Sequence, residues 1–83
     1  MAERFEFGER ERHYITVDWS ILSKQLRIEL DGEVVRSGWH LSPTATKVEL
    51  DVGSSETHHV LVVAGGFHRT EVWVDGKELQ PST

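Results

Sequence analysis

Two Asp-Gly pairs, Asp31-Gly32 and Asp75-Gly76, each lie between runs in which apolar and polar residues alternate, and nothing else in the chain constrains its fold as strongly. Asp-Gly supplies the two positive φ angles of a type I′ turn, whose twist matches that of the strands it joins. A two-residue loop sets the register of its hairpin. About Asp31-Gly32, Leu30 faces Glu33, Ile28 faces Val35 and Leu26 faces Ser37. This predicts a core face built from Leu26, Ile28, Leu30, Val35 and Trp39. About Asp75-Gly76, a short last strand returns Lys77, Glu78 and Leu79, with Leu79 opposite Val72.

The same period of two runs through the rest of the chain. Phe5 and Phe7 mark a first strand, Ile15, Val17 and Trp19 a second, and Val48, Leu50 and Val52 a fifth after Pro43 has ended the fourth. Gly53-Ser54-Ser55-Glu56 makes a turn. The runs Thr57–Ala64 and Phe67–Val74 flank Gly65-Gly66, which reads as another two-residue hairpin loop. No segment has helical periodicity. The expected fold is therefore all-β: a compact antiparallel β-sandwich of seven or eight short strands, with a small barrel as the other closure of such strands. A chain of 83 residues has room for one core, burying roughly 60–65% of the surface its unfolded form exposes. One domain over 1–83 follows, with fraying at 1–3 and 81–83. No long internal repeat is read; the two Asp-Gly hairpins look alike because they solve the same turn problem.

Fourteen acidic against nine basic residues give a net charge of −5, which opposes general attraction to nucleic acid or anionic lipid. Arg4, Arg10 and Arg12 form no basic patch, because Glu3, Glu6, Glu9 and Glu11 are interleaved with them. With no cysteine there is neither a disulfide nor a thiolate metal site. The N-terminal residues lack the basic start and apolar run of a signal peptide, and no stretch approaches a membrane span, so the expected location is cytoplasmic.

The order of these features resembles something known. A charged strand is followed by Arg27-Ile28-Glu29-Leu30-Asp31-Gly32, Trp39 and Val52-Gly53-Ser54-Ser55-Glu56-Thr57. Gly66-Phe67, Glu71 and Val74-Asp75-Gly76-Lys77-Glu78-Leu79 come after them. Over roughly residues 12 to 80 this resembles one repeat of the Fas apoptotic inhibitory molecule family. The resemblance implies a compact antiparallel β-sandwich and a non-enzymatic interaction protein, and it supplies no catalytic or ligand residues. Members of that family typically carry two such repeats, whereas this chain has room for one, so the resemblance does not by itself imply an apoptotic role.

Chemistry-bearing patterns are sparse. The five histidines, His13, His40, His58, His59 and His68, have no metal-ligand spacing, and adjacent His58 and His59 point to opposite faces of a strand. There is no nucleophile elbow, and Gly65-Gly66 is too short for a phosphate loop. No enzyme, cofactor or metal is expected. Trp19 and Trp39 fit core faces. A two-residue Gly65-Gly66 loop, in contrast, sets His58 against Trp73, Val60 against Glu71 and Val62 against Arg69, making Val60, Val62 and Trp73 an outer apolar strip beside His58. Such a strip suits a protein partner or weak self-association. The leading expectation is a non-catalytic protein-interaction module using a sheet face or edge, and the alternative is a small-molecule or metal-binding domain using His58 and His68.

Overall fold

The computed structural model describes residues 2–82, and among them there is no helix. Strands β1 (Ala2–Phe7), β2 (His13–Trp19), β3 (Gln25–Leu30) and β4 (Glu33–Trp39) form one sheet; β5 (Thr46–Val52), β6 (His58–Ala64), β7 (Glu71–Val74) and β8 (Lys77–Glu78) form the other. Each sheet is a meander in chain order with every neighbour antiparallel. Alternation leaves each sheet one apolar face. Phe5, Phe7, Ile15, Val17, Leu26 and Ile28 from the first sheet meet Val52, Val60, Val62, Ala64, Val72 and Val74 from the second in a single core. Each large side chain enclosed there contributes about 1.5–3 kcal/mol relative to leaving it in water. The fold is thus the all-β sandwich expected, with eight strands. No helix among the described residues is long and apolar enough to cross a membrane.

Both Asp-Gly turns form as expected. Asp31 and Gly32 have φ of 51° and 87°, Asp75 and Gly76 of 50° and 82°, and each closes a two-residue loop between Leu30 and Glu33 or Val74 and Lys77. The Leu79 N–H donates to the Val72 carbonyl at 2.9 Å, which sets these residues opposite each other.

Two register expectations fail. In the β3–β4 pair Glu29 sits against Val34 but Ile28 against Arg36, so Val35 is an extra, bulged residue. Beyond a bulge the alternation inverts: Gly38 rather than Trp39 takes the inner position opposite Leu26, and Trp39, opposite Gln25, turns outward. Val35 is 41% and Trp39 74% exposed, so neither belongs to the core.

In the second sheet, Gly65-Gly66 is no two-residue turn, because β6 ends at Ala64 and β7 begins at Glu71. The actual register pairs Val60 with Val74, Leu61 with Trp73 and Val62 with Val72. Val60 and Val62 are fully buried in the core, and the outer strip they were expected to form with Trp73 does not exist. The glycines serve close approach instead. A Cβ on Gly65 would run into the His40 ring and one on Gly66 into the Pro43 carbonyl, so only glycine lets the 40–44 and 65–68 loops pack together.

Near the termini, Ala2 and Glu3 are paired in β1 against Asp18 and Val17, and the Ser82 N–H donates to the Arg4 carbonyl at 2.7 Å. Met1 and Thr83 lie outside the described residues.

Candidate functional site

The two ends of the sandwich differ in chemistry. At one end, the loops β1–β2 and β5–β6 clasp each other through two carboxylates. Glu56 Oε1 accepts from the backbone N–H groups of Glu9, Arg10 and Glu11 at 2.8, 3.1 and 3.0 Å. Reciprocally, Glu11 Oε1 accepts from the Ser55 N–H at 2.9 Å and Oε2 from the Ser54 N–H at 3.0 Å, with both serine hydroxyls donating to Oε1 as well. Each glutamate then adjoins a histidine at the start of the next strand. His13 Nε2 lies 2.6 Å from Glu11 and its Nδ1 2.6 Å from Asp31, while His58 Nδ1 lies 2.6 Å from Asp75 and its Nε2 3.6 Å from Glu56. The Asp31 and Asp75 carboxylates are the Asp-Gly turn residues, and each also accepts a strand N–H, from Tyr14 and His59.

A Cβ on Gly8 would meet the Glu11 carbonyl as one on Gly53 would meet that of Glu56, so Gly8, Glu11, His13 and Asp31 do in one half what Gly53, Glu56, His58 and Asp75 do in the other, and at these positions the chain does contain an internal repeat. Its halves cross-bond. The correspondence escapes a sequence reading because it rests on a few polar residues, while the strands between them differ residue by residue.

Electrostatics follow the hydrogen bonds. Backbone N–H groups, that of Ser55 foremost, hold Glu11 down at about 2 from an ordinary 4.5. Glu56 is lowered chiefly by the Glu11 N–H, and Asp75 chiefly by His58. Asp31 raises His13, and Asp75 raises His58. The arrangement has the residue types of a catalytic triad but the wrong order of contacts: the serine hydroxyls donate to Glu11 rather than to an imidazole. What the two carboxylates do is join the β1–β2 and β5–β6 loops through backbone N–H groups.

The opposite end carries exposed apolar surface. Leu22 is 93%, Phe67 76%, Trp39 74% and Leu41 73% exposed. Contacts gather them: Gln25 pairs with Trp39, the His40 N–H donates to the Lys24 carbonyl at 2.8 Å, the Phe67 N–H donates to the Pro43 carbonyl at 3.1 Å, and the Lys24 ammonium sits 5.6 Å from the Phe67 ring centre. The loops are anchored from beneath by Trp19, whose Nε1 donates to the Gly66 carbonyl at 3.2 Å and whose ring meets His40 edge-on. A groove of about 270 Å³ lined by Gln25, Leu26, Arg27, Ser37, Gly38 and Trp39 opens beside them. β4 is an edge strand, exposed along its whole length.

Of the residues singled out from sequence, Val60 and Val62 are core. Trp73 is half-buried on the outer face opposite Leu61, its Nε1 donating to Glu71 at 2.9 Å. His58 belongs to the clasp. His68 bonds Glu71 at 2.7 Å near the other end, so the two histidines of the metal-binding alternative are apart, and no group of three potential ligands occurs among the described residues. Missed were Leu22, Trp39, Leu41 and Phe67. A signal was present: the segments 19–28, 34–48 and 64–70 contain five of the nine lysines and arginines and none of the fourteen acids. No family model matches this chain, and neither the curated proteins nor the solved structures yield a match. The resemblance to a Fas apoptotic inhibitory molecule repeat thus rests on the residues quoted for it.

Proposed function

We propose that this chain is a non-catalytic protein-interaction module whose docking surface is the apolar end around Trp39 together with the free edge of β4. The observation that carries the reading is the gathering of Leu22, Trp39, Leu41 and Phe67, all more than 70% exposed, on one end of a domain whose core is already complete without them. Large apolar side chains left exposed on the same end of a small domain mark a binding surface, and an open edge strand is a ready template for a partner's backbone. The family resemblance agrees with a module that binds rather than reacts. The partner itself is tested by affinity capture with the wild-type chain, with Trp39→Ala and with Lys77→Ala at the clasp end. A specific partner held by wild type and Lys77→Ala but lost with Trp39→Ala is the expected result. Equal retention by the wild type and both variants places the binding surface elsewhere.

A further inference from the structure

Building on that reading, we infer that the partner presents an extended acidic segment with apolar residues at alternate positions, which pairs with the C-terminal half of β4 and seats its apolar side chains on the Trp39 side. Charge is the first argument. The chain is acidic overall, yet the three segments that build this end carry no carboxylate. Two of their five cations are internally paired, Arg27 with Glu29 at 3.3 Å and Arg69 with Glu78 at 3.0 Å. Arg36, beside Ser37 and Gly38, and Lys24, over the Phe67 ring, form no ion pair among the described residues and remain for a ligand's carboxylates.

Geometry is the second argument. The bulge at Val35 interrupts the edge, so a partner strand finds regular backbone only from Arg36 to Trp39. There the edge is open, because β4 is the last strand of its sheet, and the side-chain space at Gly38 is also empty: a Cβ there would meet no atom within 4 Å. In an added strand successive side chains point to opposite faces; Arg36, paired with Ile28, lies on the inner side and Trp39 on the outer one, which matches acidic residues on the Arg36 side alternating with apolar residues on the Trp39 side.

Other occupants fit less well. Hydrocarbon would bury the Trp39 ring but leave the β4 edge groups without hydrogen bonds, which excludes open sheet edges from lipid. A second copy offering its acidic surface would make a head-to-tail contact, which propagates into filaments unless it closes into a ring.

The test uses the full chain labelled with ¹⁵N and three probes: an eight-residue peptide alternating glutamate with valine, the same peptide with lysine for glutamate, and vesicles of phosphatidylserine and phosphatidylcholine. The inference expects the acidic peptide to shift the Gly38 amide and Trp39 indole signals, to bind at least about tenfold more tightly than the lysine peptide, and to weaken with salt. It also expects the doubly substituted Lys24→Glu, Arg36→Glu chain to melt as wild type does and to lose that preference. If both peptides bind equally at Gly38 and Trp39, the acidic partner is wrong while the docking surface stands. If vesicles alone move the Trp39 signal, or the protein's own dilution does, the occupant is a membrane or a second copy and the inference falls. If the acidic peptide acts elsewhere, or no probe moves these signals, both the inference and the docking surface fall.

Discussion

The three tryptophans do three different things. Trp19 packs against the core and holds the 65–68 loop through its Nε1. Trp73 lies across Leu61 on the outer face with its Nε1 tied to Glu71, and the bond lowers the Glu71 carboxyl below its ordinary value. Trp39 is 74% exposed, so truncating it opens no cavity. Trp39→Ala is accordingly expected to change stability by no more than about 0.5 kcal/mol, as for other surface substitutions. Ile28→Ala, at a fully buried position, is expected to cost about 2–5 kcal/mol. Trp73→Ser falls between, at about 1–2 kcal/mol, since it uncovers Leu61 and removes the Nε1 bond to Glu71 without entering the core. Urea midpoints of the three variants check the order; a Trp39→Ala loss as large as that of Ile28→Ala contradicts the outward placement.

Among the elements, the two clasping loops make stability depend on pH from both sides. Glu11, Glu56 and Asp75 have folded pKa values below their ordinary 4.5 or 3.8, so their contribution is complete above those values and is lost on acidification, for Glu11 as pH falls toward about 2. His13, His58 and His59 are raised above 6.5, His59 chiefly by Asp51, so their contribution is complete below 6.5 and is lost as pH rises through the raised values. The melting temperature is therefore expected to peak between about pH 4.5 and 6.5 and to fall on both sides. Glu11→Gln flattens the acid limb, and the doubly substituted His13→Gln, His58→Gln chain flattens the alkaline one. Melting curves recorded from pH 2 to 9 decide this, and an alkaline limb unchanged in the histidine variant removes the clasp from the explanation. Gly8 and Gly53 are part of the same device: a Cβ on either would collide with the carbonyl of Glu11 or Glu56, so alanine at either position breaks a loop.

For the whole molecule, the equivalence of the halves has a consequence for assembly. Each half is a four-stranded meander with one apolar face, and each covers the face of the other. Two fragments made by dividing the chain between Ser42 and Pro43, in the exposed connection between the sheets, are each expected to lack stable structure alone. Mixed, they are expected to recover the β spectrum as a one-to-one complex, because the interface between them is the entire core. Circular dichroism with sedimentation measures this. Glu11→Gln in one fragment and Glu56→Gln in the other should weaken reassembly, since these carboxylates make the hydrogen bonds that cross between the halves. Fragments that fold separately and ignore each other would show that the core is not shared.

Local chemistry determined the strands, the inward-facing residues Phe5, Phe7, Ile15, Val17, Leu26 and Ile28, and both Asp-Gly turns, because a period of two and a turn's φ angles are properties of neighbouring residues. Trp39 depended on something else: one bulged residue at Val35 inverts every later position on β4, and a bulge has no obligatory sequence mark. Gly65-Gly66 was misplaced for a related reason. Its glycines are required by His40 and Pro43, residues brought against them only by the packing of distant loops. The clasp likewise joins groups more than forty residues apart, such as Glu56 and Glu9. Tertiary structure alone decided which apolar residues were left outside, because the core fills with the side chains that registers and loop contacts turn inward, and Trp39, Leu41, Phe67 and Leu22 are those turned out.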